Sequence, residues 1–147
     1  MIEALQHIRR KEIKHEIILI PSKNIITAKM DAKLIIQVIV NLIENAIKYT
    51  PVDSKIYIEM EEDEEMAYIH IKDNGPGIKE DEKEKIFDMF YCGNQKIADS
   101  RRSLGLGLPL CKTIMQAHKG EITLQDNIPH GCIFTCKLKK EEVILHE

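Results

Sequence analysis

The chain has 147 residues, one domain's worth, of which 44% are hydrophobic and 31% charged, an ordinary composition for a globular fold with a single core. Its 21 basic and 24 acidic residues leave a net charge of −3 with no long basic tract, which argues against non-specific binding to nucleic acid or acidic membrane. No stretch reaches the apolar length of a membrane span, the N-terminus lacks a signal-peptide pattern, and with no Trp and three Phe the core must be aliphatic.

Residues 3–13 read as the tail of a polar helix, a remnant of a preceding helical segment. Residues 15–20 read as a strand ended by Pro21, and 25–28 as a second short strand. Asp31 is a good N-cap for a helix over 32–49 that Thr50-Pro51 stops. Ile56, Ile58 and Met60 alternate with polar residues, as do Ala67, Ile69 and Ile71, so two antiparallel strands flank an acidic turn at 61–65. The tight turn Asp73-Asn74-Gly75-Pro76-Gly77 follows, then a short helix around 80–87 and an aperiodic loop over 91–104. A helix over 105–118 tolerates Pro109 in its first turn, and His118 is placed to cap its C-terminal end. Strands at 121–125 and 132–138 close the chain across a loop holding Pro129 and Gly131. The expected fold is α+β, a two-layer sandwich of one mixed, mainly antiparallel sheet and about three helices. Cys92, Cys111, Cys132 and Cys136 form no C-x-x-C pair and read as reduced thiols, with Cys132 and Cys136 sharing one strand face.

Three segments carry the chemistry. In Asn41-Leu42-Ile43-Glu44-Asn45-Ala46-Ile47-Lys48-Tyr49, the residues Asn41, Asn45 and Lys48 stack on one helical face, and their burial is costly unless a polar ligand meets them. Taken alone, such a face is more simply explained as a solvated stripe on a surface helix. Asp73 stands at a strand end before a glycine turn that lets a flat ligand approach, and its carboxylate can accept from an exocyclic amine such as adenine's. Guanine offers a carbonyl there and would be rejected, by as much as about 10⁴-fold in a site resting on one such bond. A plain capped turn is the alternative. Gly105-Leu106-Gly107-Leu108 opens a helix, where bare N–H groups favour phosphate, although close packing of helix on sheet would also call for glycine.

In this order the three segments resemble the GHKL superfamily with its Bergerat ATP-binding fold, and within it the histidine kinases. Asn41 to Tyr49 is similar to their N box, Asp73 to Ile78 to the first glycine box, Ile86-Phe87-Asp88-Met89-Phe90-Tyr91 to the F box, and Gly105 to Leu108 to the second glycine box. The resemblance implies that residues 1–147 are a catalytic and ATP-binding domain. Asn45 would ligate Mg²⁺, Asn41 assist, Lys48 meet a phosphate and Tyr49 lie near adenine or sugar. Asp73 would take the adenine amine between Gly75 and Gly77, and Gly105, Leu106 and Gly107 would meet phosphate. Residues 91–104 become the ATP lid, with Arg101 and Arg102 toward the γ-phosphate. The implied partners are the phosphoacceptor histidine domain of the same kinase, dimeric in the full-length protein, and a response regulator downstream, with no nucleic acid. The domain would be cytoplasmic and the full-length protein membrane-associated.

Two departures stand out. Ser103 occupies a position usually held by glycine, and Cys132 one often held by Thr, a change expected to matter only to packing. No histidine of the chain sits in the acceptor context of that family; His15-Glu16 is the nearest imitation, but it reads as strand. Other ATPases of the superfamily carry a Glu general base where Asn41 stands, and an amide cannot take a proton from water. A small anti-sigma-factor Ser/Thr kinase is opposed by the F box and the long lid, and a pure ATP-binding module remains open because of Ser103.

Overall fold

The computed structural model describes residues 15–20, 30–51, 53–87 and 107–140. The expected helix over 3–13, the strand over 25–28, the loop over 91–104 and Cys92 lie outside the described residues.

Helix α1 (Ala32–Tyr49) begins at Asp31, which is extended (φ −81, ψ 107) and accepts the Lys33 and Leu34 N–H groups on its Oδ1. The helix ends at Thr50 because Pro51 disfavours helical dihedrals on the residue before it, and Thr50 is extended at ψ 151. Its buried side, Ile35, Val38, Ile39, Leu42, Ile43 and Ala46, recurs at three- and four-residue spacing. Strands β1 (Glu16–Ile20), β2 (Lys55–Glu62), β3 (Met66–Asp73), β4 (Glu121–Asp126) and β5 (Cys132–Lys139) form one sheet in the order β1-β2-β3-β5-β4. Only β1 runs parallel to its neighbour, β2. The β2–β3 turn is closed by Asp63, whose Oδ1 accepts the Glu65 and Met66 N–H groups at 2.9 and 2.7 Å.

One sheet face carries Ile56, Ile58, Ile69, Ile71, Phe134, Cys136 and Leu138 against α1 and against α2 (Gly107–Ala117), which contributes Cys111, Ile114 and Met115. Burying each of the larger aliphatic side chains is worth about 1.5–3 kcal/mol. Among the described residues Phe134 is the one aromatic side chain fully inside, and Cys132 and Cys136 do share the inner face. The outer face is polar, with Lys72 paired to Glu59 and His70 held between Thr135 and Glu61. The sandwich is two-layered and α+β.

Among the described residues there are two α-helices. Where a third was expected, over 80–87, the chain forms turns ending in a 3-10 turn, Lys85–Phe87, closed by three-residue bonds such as Lys85 N–H to Glu82 O. The reason is the run Lys79-Glu80-Asp81-Glu82-Lys83-Glu84-Lys85, which offers no apolar stripe to bury, so tertiary packing cannot pay for helix nucleation. The segment is instead fixed at points. Lys83 bridges Glu80 and Asp126 on β4, Ile86 enters the core, and Phe87 meets Phe134 edge-on.

The two helices run antiparallel, and His118 ties their ends. Its Nδ1 donates to Ile114 O at 2.8 Å, the expected C-terminal cap, and its Nε2 accepts the Asp31 N–H at 2.9 Å. A carbonyl only accepts and an N–H only donates, so both ring nitrogens are committed in the neutral tautomer.

Candidate functional site

Asp73 ends β3 and is 6% exposed. Its Oδ1 accepts two backbone N–H groups, from Gly75 at 3.0 Å and Cys132 at 3.2 Å, so among the described residues Oδ2 is the oxygen left for a ligand. Burial pushes the Asp73 carboxyl above its ordinary value, and the two N–H bonds and the charge of His130 oppose that rise. A buried carboxylate held in one orientation, with one oxygen unspent, is a fit acceptor for an exocyclic amine.

The turn that follows leaves no room for side chains. A Cβ on Gly75 would lie 2.6 Å from Thr50 Cγ2 and 3.1 Å from Asp73 Oδ1, whereas Gly77 requires glycine for its backbone, at φ +85. Asn74 Oδ1 accepts the Lys55 N–H at 2.9 Å, which pins the turn to the start of β2.

Thr50 thus brings the C-terminal end of α1 against the Asp73 turn. Its Oγ1 donates to Ala46 O at 2.6 Å, which aims its methyl group at Gly75. Asn45 and Lys48 lie within the last two turns of the same helix, half-buried rather than fully solvated. Asn41, one turn earlier, accepts from Gln37 Nε2 at 3.2 Å, and the Cys111 thiol of α2 donates to Val38 O of α1 at 3.7 Å. Burial pushes the Cys111 thiol up to about 12, opposed by the Asn41 side chain. The thiol contact sets the first turns of α2 against α1, while Thr50 sets the end of α1 against the Asp73 turn. At the start of α2, Gly107 is exposed, and an added Cβ there would meet nothing within 4 Å. Helix-on-sheet packing is therefore not what calls for glycine at that position. The Tyr49 side chain, Arg101, Arg102, Gly105 and Leu106 lie outside the described residues, as do residues 88–91 of the F box.

Four residues of the site carried no role in the sequence reading: Thr50, Asn127, His130 and Gly131. Asn127 Nδ2 donates to Asp73 O at 2.8 Å, and His130 Nδ1 to Gly75 O at 2.9 Å. Gly131 has φ +114, and a Cβ there would collide with the Asp73 carbonyl oxygen. The polar loop between two closing strands was visible in the sequence, but nothing local tells that it folds onto residues more than fifty positions earlier. Cys132, expected to matter only to packing, is also within reach of Asp73 electrostatically. Burial first, and then the charges of Asp73 and Asp126, push its thiol up to about 12.

A family model described as histidine kinase-, DNA gyrase B- and HSP90-like ATPase matches residues 30–142. The chain belongs to that family. Within it, the relatives of this ATPase domain are sensor kinases. Sensor protein KdpD of Clostridium acetobutylicum is 40% identical over 139 residues, 95% of this chain and 15% of that protein. Sensor protein CiaH of Streptococcus pneumoniae serotype 4 is 38% identical over 112 residues, 76% of this chain and 25% of that protein. The solved catalytic domain of histidine kinase ThkA superposes with a TM-score of 0.76 at 28% identity, over 95% of this chain and 88% of that one. The chain thus spans between about a seventh and a quarter of the length of these two curated relatives, and it is a histidine kinase-type ATPase domain. No helix among the described residues is long and apolar enough to cross a membrane.

Proposed function

We propose that this domain binds Mg-ATP and donates the γ-phosphoryl group to a histidine on a separate phosphoacceptor domain of the same kinase, from which a response regulator is served. The observation that carries the reading is Asp73: a buried carboxylate with Oδ1 saturated by backbone donors and Oδ2 free to accept the adenine amine. Gly75 and Gly77 admit the base plane beside it. Asn45 offers an amide oxygen to Mg²⁺, a hard cation that prefers oxygen, and Asn41 supports a metal-bound water. Lys48 and the backbone of Gly105, Leu106 and Gly107 are assigned to phosphate oxygens, and Arg101 or Arg102 to the terminal one. Bound Mg²⁺ supplies charge neutralisation on the phosphates. The domain is read as cytoplasmic in a membrane-associated kinase.

The acceptor is read as lying on that separate domain. His15 Nε2 is engaged with Thr50 O at 3.2 Å and its Nδ1 is buried, so neither nitrogen of that ring is presented for attack. His118 has both nitrogens committed between the helix ends. Incubated alone with Mg²⁺ and γ-labelled ATP, the chain is expected to gain no stable label; mixed with a protein carrying the histidine hairpin of the same kinase, it is expected to label that protein. Acid-labile phosphate on the isolated chain would overturn the reading. Acid-stable phosphate on an added anti-anti-sigma protein would assign the domain to the Ser/Thr kinases instead.

A further inference from the structure

On its β5 side, the β3 ladder ends at the pair Lys72–Ile133, one residue short of Asp73. Beyond that pair the turn is held by the β4–β5 loop. Asn127 Nδ2 donates to Asp73 O at 2.8 Å, the Cys132 N–H to Asp73 Oδ1 at 3.2 Å, and His130 Nδ1 to Gly75 O at 2.9 Å. Gly131 lies so close that any Cβ would strike the Asp73 carbonyl and come within 3.1 Å of Asn74 Cα.

The loop is built to keep this geometry. The Asn127 N–H donates to Gly131 O at 2.9 Å, closing the loop on itself, and Asn127 Oδ1 accepts the Ile128 N–H at 2.9 Å. That second bond fixes which end of the Asn127 amide faces Asp73. None of residues 127–131 belongs to the hydrophobic core, and Ile128 at the tip is 90% exposed. The polar contacts of the loop outside itself therefore go to the Asp73 turn and not to the body of the fold.

We propose that Asn127 and His130 are positioning residues for base recognition, setting the place of the Asp73 carboxylate and the Gly75 backbone between which the base lies. The inference rests on Asp73 being the adenine acceptor. A carbonyl accepts only, so Nδ1 of His130 carries the proton, and the donor rather than the imidazole ring is what the site requires. Asn places an amide nitrogen at the position of Nδ1, so His130→Asn keeps the donor and His130→Ala removes it.

The test combines calorimetric titration with Mg-ATP and amide hydrogen exchange of the nucleotide-free protein. His130→Ala and Asn127→Ala are each expected to weaken ATP about tenfold, the worth of one lost hydrogen bond, and to speed exchange at the Gly75 and Cys132 amides. Exchange in β2 and α1 stays at the parent rate. His130→Asn is expected to restore both readouts to within about threefold of the parent. Parent-like ATP affinity in His130→Ala with faster exchange at Gly75 would overturn the proposal, because the turn would then move without consequence for the base. Failure of His130→Asn to restore binding would overturn it as well. Absence of ATP binding in the parent would instead remove the adenine reading of Asp73, and the positioning role with it.

Discussion

Substituting Asp73→Asn separates recognition from stability. Asn keeps an oxygen at the Oδ1 position, so the Gly75 and Cys132 N–H bonds at 3.0 and 3.2 Å survive. At the Oδ2 position it presents an NH₂ to the adenine amine. A charge-assisted hydrogen bond of about 1.5–3 kcal/mol is lost, and two donors then face each other unpaired, costing about 1–3 kcal/mol more. At about 1.4 kcal/mol per decade, ATP affinity is expected to fall by about 10²- to 10⁴-fold. Stability moves the other way. Burial holds the Asp73 carboxyl above its ordinary value, so the ionised side chain is a strain on the folded state. A raised carboxyl contributes stability that is present below the unfolded value, about 3.9, and is lost as pH rises through the folded one. At neutral pH the nucleotide-free Asn variant is therefore expected to melt at or above the parent temperature, and this advantage is expected to shrink toward pH 4. Calorimetry with ATP and GTP, paired with thermal melts at both pH values, measures the two effects. ATP affinity within threefold of the parent, equal affinity of the parent for GTP, or a neutral-pH melt several degrees lower would refute the reasoning.

Gly75→Ala drives a methyl group into Thr50 Cγ2 and is expected to weaken ATP at least tenfold; adding Thr50→Ser removes that methyl, keeps the Oγ1 bond to Ala46 O, and is expected to recover most of the loss in the same titration. Asn45→Ala is expected to abolish the Mg²⁺-dependent enhancement of ATP binding, and an enhancement that persists places the metal elsewhere. His118→Ala removes two hydrogen bonds that join the helix ends, about 1–3 kcal/mol together, and is expected to lower the melting temperature by about 3–10 °C with ATP affinity unchanged.

Much of the fold was legible because its signals are local. The Asp31 cap and the Thr50-Pro51 stop bound α1 as read, since both act on the dihedrals of the residues that carry them. Alternation in β2, β3 and β5 named the inner face, because successive side chains of a strand must point to opposite sides. The same local reading went astray over 80–87, where the expected helix has no apolar face to dock.

The amino-acid sequence by itself determined the two described α-helices, the five described strands, the aliphatic core and the three segments that name the family, since each depends on residue type at short spacing. Tertiary structure alone decided the strand order with β1 parallel at the edge, the meeting of Cys111 with Val38 O, and the methyl group of Thr50 that leaves Gly75 no room. It also decided that the β4–β5 loop closes on the Asp73 turn, across 54 residues for Asn127 and Asp73, 55 for His130 and Gly75, and 59 for Cys132 and Asp73. Each of these bonds has at one end a backbone carbonyl or N–H, which every residue carries, so residue identity marks no partner for the side chain at the other; only the packing of the whole sheet brings the two turns together.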